Sequence, residues 1–410
     1  MPLSSISPEP AESILNTGGL CLVMVVRNDA QVITRCLDSV RPIISTWVIC
    51  DAGSTDGTQD KIRDSLDGIP GELHVVPRVN LGHNRAEALR LASGKASYHL
   101  LLDSDMAVNV CSPLEHALSA DSYLLRQQGD LECWLECLLS DRHQWRCAGS
   151  ARPFFHSRTA STRHKLGNFS IVRHRDAPRT PPEIHCEVEA LKSELQRGAN
   201  VARCTFYLAE CYRELGNLPL AIEYYETRSK MAGWEEEIWY SIYQVARLQQ
   251  RLGIAWVLVL DQYLRAYQFR PTRAEPLFHV ARFYRQNAQY ALAHMFSTAG
   301  LRIPLPDDLL FIDRSVYEYG MEFEHCLSCQ QLGKQKEAAH SAEQILSCPG
   351  IPEDVRVAAQ QCLDPPLRTQ ALLNHPPNGA SRESSRTHPN GFPVERRAAC
   401  PPIPQTRQPS

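Results

Sequence analysis

The sequence predicts an α/β domain with a parallel sheet, followed by an all-α domain of helical repeats. Three observations carry that prediction. Apolar runs of strand length alternate with helix-spaced apolar residues over roughly the first hundred residues. From about Asn200 a pattern of small and aromatic residues returns at a near-constant interval. Beyond Asp364 the chain is dense in Pro, Ser, Arg and Asn, too polar to offset the entropy of ordering, so it is expected to be disordered.

Leu20-Cys21-Leu22-Val23-Met24-Val25-Val26 is a continuous apolar run, the signature of a strand buried on both faces. Val32, Ile33, Cys36, Leu37 and Val40 then recur at helical spacing, with Pro42 just past the helix. Trp47 to Cys50 reads as a second strand and Leu73 to Val76 as a third. Ala86, Leu89 and Ala92 mark another helix that ends at Gly94, and Tyr98 to Leu102 is a fourth strand. A β-α-β order implies right-handed crossovers and parallel pairing. Residues 110 to about 185 are rich in Arg, His and Trp and show few clean periods. The segment 163–175 reads as a solvated basic loop.

The repeats begin with Tyr207 to Gly216, Ala221 and Tyr225. They return as Ala246, Leu252-Gly253, Tyr263, Ala266 and Pro271, and again as Ala281, Tyr284, Phe296, Ala299 and Pro304. A fourth copy has Cys326, Leu332-Gly333 and Ala338. Small residues where helices touch, an aromatic in each helix and a terminal Pro make the tetratricopeptide pattern, at a period of roughly 34 residues. Expected boundaries are a disordered N-terminus over 1–17, an α/β domain over 18–190, repeats over 191–350 and a disordered tail over 364–410.

With 410 residues, 43% hydrophobic and 22% charged, the chain has the composition of a globular protein of two or three domains. A net charge of -3 leaves no basic footprint for nucleic acid. The N-terminal stretch lacks a secretory pattern, and no apolar run is long enough to span a bilayer. Fifteen cysteines without regular spacing suit a reducing, cytoplasmic setting. Cys326-x-x-Cys329, inside a helix and without a second pair, reads as two thiols packing between repeats.

The chemistry gathers where strands end. Asp51 closes strand two, and Asp103-Ser104-Asp105 follows strand four. Carboxylates at the C-terminal ends of parallel strands sit where open α/β sheets hold ligands. Two of them, two residues apart, suit one hard divalent cation, Mn²⁺ or Mg²⁺, which would neutralise a diphosphate. Asp51-Ala-Gly-Ser-Thr-Asp56-Gly-Thr58 turns from strand into helix, with backbone N–H groups suited to a phosphate or ribose. The same octet also serves as a well-capped turn. Arg27-Asn28 and Asn84-Arg85 are placed to reach a nucleotide; either pair alone reads more readily as solvated surface than as a ligand contact, and the combination in this order favours the nucleotide.

Together these segments resemble family 2 glycosyltransferases of the GT-A fold. The resemblance rests on Val-Val-Arg-Asn-Asp at 25–29, the octet at 51–58, Asn84-Arg85 and Leu-Asp-Ser-Asp-Met at 102–106. Trp145 through Gly149, Phe206 through Gly216, Gly233-Trp234-Glu235-Glu236 and Arg273 through Leu277 resemble a subgroup fused to tetratricopeptide repeats. The resemblance implies a nucleotide-sugar donor, transfer to an acceptor hydroxyl with inversion, and a general base for the acceptor proton. It implies donor contacts from Arg27, Asn28, Asp51, Asp56, Asn84, Arg85 and Asp103, and a metal on Asp103 and Asp105. The acceptor is unspecified, and the repeats are expected to bind a protein partner or help position it.

One departure stands out. Relatives carry a His-Glu pair after the Trp…Gly segment, where this chain has Arg152-Pro153. The base is therefore unassigned; Glu132, Glu136 and Asp141 lie in the right stretch but read as surface carboxylates. His174 falls where some relatives carry a His. The alternative reading is a catalytically impaired relative that keeps the donor site and works as an interaction scaffold. Nucleotidyl transfer ranks lowest, because Arg27-Asn28-Asp29 is not a Gly-rich basic loop.

Overall fold

The computed structural model describes residues 19–112, 117–174 and 179–363. The expected disordered segments 1–17 and 364–410, and Asp176–Pro178 of the departure-rich stretch, lie outside the described residues.

Strand β1 (Leu20–Val26) is central among β3 (Gly71–Val75), β2 (Thr46–Asp51), β1 and β4 (Tyr98–Leu101), which pair in parallel in that order. Its continuous apolar run is explained by burial on both faces. Leu20, Leu22, Met24 and Val26 pack with Ile33 and Leu37 of α1 (Ile33–Val40) and Ile62 of α2 (Thr58–Ser65). Cys21 and Val23 point the other way, onto Ala88 and Ala92 of α3 (Leu81–Ala92). Helices thus cover both faces, as a parallel sheet requires.

Beyond β4 the eight-stranded sheet becomes mixed. It continues through β7 (Cys133–Ser140), β6 (Ser122–Gln128), β10 (Arg163–Arg173) and β5 (Met106–Val110). Two short strands, β8 (Arg146–Ala148) and β9 (Phe154–His156), pair separately. The basic segment expected to be a loop is therefore an eleven-residue strand, β10. Its two-residue alternation was hidden because the pairing with β6 shifts between Leu166 and Ser170, a bulge that resets which face each side chain takes.

Helices then follow one another from α4 (Pro181–Gln196) to α13 (Glu353–Leu363), each packed on its neighbour in sequence. Thr180 and Glu183 form a capping box that starts α4, with Pro at its first position. In α5 (Val201–Glu214), α6 (Leu218–Ser229), α7 (Glu235–Arg251) and α8 (Trp256–Phe269), Ala209, Ala221, Ala246 and Ala266 are fully buried where neighbouring helices meet. Phe206, Tyr225, Trp239, Tyr240 and Tyr263 fill the space between. Gly216, Gly253 and Gly333 have φ of +75°, +70° and +73° just past helix ends. That left-handed conformation lets Asn217 N–H donate to the Tyr212 carbonyl and closes the helix. No helix among the described residues is long and apolar enough to cross a membrane.

The helical region is seamed to the sheet. Glu132 and Ile312 exchange backbone hydrogen bonds, and Trp134 N–H donates to the Leu309 carbonyl. The 308–312 loop is held from below by Arg273, which is fully buried and bonds Glu275, Asp308 and the Leu310 and Phe311 carbonyls.

Candidate active site

The site forms at the C-terminal edge of the parallel strands. Leu102 N–H donates to the Val23 carbonyl, so Asp103 emerges level with the end of β1. A tight turn, with Met106 N–H on the Asp103 carbonyl, then starts β5 and leaves both aspartates at the tip. β10 pairs antiparallel with β5, and its register sets Arg173 opposite Met106. That register is the reason a guanidinium sits at this point.

Arg173 holds both carboxylates. Its Nη1 is 2.8 and 2.9 Å from the two Asp105 oxygens, and its Nη2 is 3.0 Å from Asp103 Oδ2. The other Asp103 oxygen accepts from Arg85, which α3 presents from the opposite side. Burial opposes the charge on Asp103, but Arg85 and Arg173 outweigh it and hold the carboxyl down to about 2. Asp103 is therefore an anion at any ordinary pH.

The loops after β1 and β2 are laced together beside this tip. Asn28 adopts φ +56° and its carbonyl Oδ1 accepts from Thr55 N–H, while its own N–H donates to Ser54 Oγ. Asp56 accepts from Ala30 N–H at 3.0 Å and from Thr58, which fixes the start of α2. Asp51 is fully buried; its carboxylate accepts from Ser54 N–H and Oγ and from the Gln59 amide. In this structure Asp51 and Asp56 thus organise the turn, leaving Arg27 and Asn28 at the exposed surface.

Asn84 is likewise internal. It donates to the Pro77 carbonyl at 2.9 Å and accepts from Val79 N–H, so it pins the loop that leads into α3. Arg85, the next residue, carries the contact with Asp103. The helix that presents it packs closely on the Trp145–Gly149 segment: a Cβ on Gly82 would lie 2.0 Å from the Gly149 carbonyl oxygen. We expect Gly82→Ala to cost about 1–3 kcal/mol through this backbone collision. Thermal unfolding of the variant would check it; an unchanged Tm would contradict the close packing.

Asp29 was missed as a member of the cluster. Burial raises its carboxyl above the usual range, with Asp105 and Asp56 adding to the rise, and Ser104 bonds it. The signal lay in its place two residues after Arg27, at the end of the same strand. Arg173 was missed because its strand was read as a loop. His174 follows it and donates its backbone N–H to the Asp105 carbonyl at 2.7 Å.

The three carboxylates weighed as the base are committed elsewhere. Glu132 pairs with Arg314 at 3.3 Å, Glu136 accepts from Ser122 and Arg163, and Asp141 accepts from Gly94 N–H and lies 3.5 Å from His99. Arg152 is paired with Glu187 and lies over the Tyr207 ring at 4.9 Å. Arg179 joins the same Glu187 and Glu214, so the place of the His-Glu pair is a charge-satisfied knot.

A doubly covered parallel sheet with acidic side chains at its C-terminal edge, continued by a stack of helices, defines an α/β unit joined to a helical repeat region. Residues 21–113 match the model of glycosyl transferase family 2. No curated protein matches the chain. Among solved structures, the C-terminal part of a TPR repeat-containing protein from Cytophaga hutchinsonii is similar at 18% identity. It covers 45% of this chain and 67% of that one, with a TM-score of 0.34. A thermophilic TPR protein of Thermus thermophilus is similar at 14% identity, covering 44% and 91%, with a TM-score of 0.29. YrrB, a TPR protein with an unusual peptide-binding site, is similar at 12% identity over 44% and 84%, with a TM-score of 0.33.

Proposed function

We propose that the chain is a metal-dependent glycosyltransferase that moves a sugar from a nucleotide-sugar donor to an acceptor hydroxyl, with inversion. The observation that carries this reading is the convergence of Asp103 and Asp105 on one cationic group at the C-terminal strand edge, inside the segment matched by the family model.

The guanidinium of Arg173 acts there as a stand-in ion: both carboxylates already meet this one cationic group, with Arg85 on the remaining Asp103 oxygen. Their hard oxygens suit Mn²⁺ or Mg²⁺. Asp103 and Asp105 would hold the metal, which supplies charge neutralisation for the departing diphosphate. Arg85 contributes a second positive charge to the phosphates, and Arg173 must yield its carboxylates to the metal. Asn28 and Arg27, at the exposed rim, and the turn organised by Asp51 and Asp56 form the nucleoside side. Asn84 supports the donor site by fixing the loop ahead of Arg85. The repeats supply a surface for a protein partner or the acceptor.

A second reading has one observation in its favour. Arg152, in the position of the relatives' His-Glu pair, is locked to Glu187 and offers no base. A chain so built would bind the donor without transferring it. Incubation of the full chain with a panel of UDP- and GDP-sugars, with and without Mn²⁺, separates the two. Metal-dependent nucleotide release with one donor supports the transferase; metal-dependent binding without release supports the scaffold. Neither binding nor release with any donor overturns both.

A further inference from the structure

A second cluster of ligand-type side chains lies far along the chain, in the last helical hairpins. His294 projects from α10 (Tyr290–Gly300), His325 and Cys329 from α11 (Met321–Gln331), and Glu337 from α12 (Gln335–Ser347). One ligand atom from each lies within 4.8 Å of all the others. We propose that these four residues form a zinc site that ties the three helices together.

The distances match the chemistry. Cys329 Sγ is 3.6 Å from His325 Nε2 and 3.8 Å from Glu337 Oε2, which is 3.0 Å from His294 Nε2 and 3.9 Å from His325 Nε2. A tetrahedral zinc with bonds of roughly 2.0–2.3 Å separates its ligands by roughly 3.3–3.8 Å. One thiol, two imidazoles and one carboxylate are a zinc donor set rather than a magnesium or manganese one, which would be built from oxygens. The two residues on α11 are four apart, one helical turn, so they share a face.

The surrounding shell fits as well. His325 Nδ1 lies 3.0 Å from Ser341 Oγ, which orients the ring and leaves Nε2 for the metal. Burial, with His294 alongside, pushes His325 down to about 4, so the ring is neutral. Burial also pushes the Cys329 thiol up to about 12; zinc binding exchanges its S–H bond for an S–Zn bond and releases the proton to solvent. At present the Lys334 ammonium sits 3.0 Å from His294 Nε2 and 3.1 Å from Glu337, on the half-exposed side of the cluster. It marks the position as one that attracts a cation, and it swings into solvent as zinc enters. Cys326 takes no part: its thiol faces the Ala338 carbonyl instead. The Cys-x-x-Cys spacing is thus incidental, and the partners of Cys329 come from neighbouring helices.

The test uses the metal-stripped full chain. Zinc titrated against a competing chelator is expected to bind one per chain, and Co²⁺ in its place to give a tetrahedral spectrum with a thiolate-to-metal band. Cys329→Ser and His294→Ala should each weaken zinc binding by at least about 100-fold, and Ser341→Ala by about 10–100-fold. Cys326→Ser and the Asp103→Ala, Asp105→Ala double variant should leave it unchanged, which separates this site from the donor site. A zinc-induced rise in Tm should vanish in Cys329→Ser. The Co²⁺ spectrum needs no variant, so a folding defect does not blur the outcome. No stoichiometric zinc, a Co²⁺ spectrum without the thiolate band, or binding indifferent to Cys329→Ser would each overturn the proposal.

Discussion

Replacing Asp103 and Asp105 together with alanine is expected to lower nucleotide release by about 10³-fold or more. The reasoning is one of charge. Stabilising a departing diphosphate through a bound cation is worth several kcal/mol, and each 1.36 kcal/mol is tenfold in rate. The fold should tolerate the change. The carboxylates lie at a strand tip, and Arg85 and Arg173 are 24% and 27% exposed, so water replaces part of what they lose. A stability loss within roughly 1–2 kcal/mol follows. Initial rates with the active donor, paired with thermal melts, check both halves. Full activity in the double variant would remove the metal role from these residues.

The second large effect concerns stability. Arg273 is fully buried against Glu275 and Asp308 and lies 3.8 Å over the Trp239 ring. Arg273→Met would leave the buried Glu275 without its cationic partner, take one of two guanidiniums from Asp308, and release the Leu310 and Phe311 carbonyls. Breaking a buried pair in this way costs about 3–5 kcal/mol. Calorimetry should therefore record a fall in Tm of roughly 10 °C or more. The loss would centre on the 308–312 loop, the seam to Glu132 and Trp134, so hydrogen exchange should rise there first.

A pH dependence accompanies it. Burial pushes the Asp308 carboxyl up, but hydrogen bonds from Arg270 and Arg273 outweigh this and hold it below its ordinary value. A depressed folded value means that the carboxylate's stabilisation is fully present above the unfolded value, about 3.9, and is lost as pH falls through the folded one. The stability difference between wild type and Asp308→Asn should be flat from about pH 5 to 7 and shrink below about pH 4. A difference that instead grew on acidification would contradict the pairing.

The legible parts of the chain were those whose signal is local. β1, with seven apolar residues in a row, and α1, with its apolar residues on one stripe, needed no tertiary information. The alanines and Leu-Gly pairs of the repeats likewise specify contacts between adjacent helices. The site was half legible for the same reason: Asp103 and Asp105 follow a clear strand, whereas Arg173 reaches them through a non-local strand pairing. Its alternation was broken by a bulge, so the strand looked like a basic loop. Asn84, read from the sequence as a donor contact, has its side chain on the Pro77 carbonyl and Val79 N–H, partners set by a loop that no local pattern announces. His294, His325 and Glu337 sit on three helices, and no spacing within one of them announces Cys329's neighbours.

In the proposed site, Asp103 and Asp105 hold a divalent cation together with a nucleoside diphosphate. Mn²⁺ binding to the full chain, followed by paramagnetic resonance with and without UDP or GDP, tests it most directly. One of the nucleotides is expected to tighten Mn²⁺ binding about tenfold or more, and the coupling to disappear in the Asp103→Ala, Asp105→Ala variant while persisting in His294→Ala. Mn²⁺ affinity that is indifferent to both nucleotides, or coupling that survives the loss of both aspartates, would contradict it.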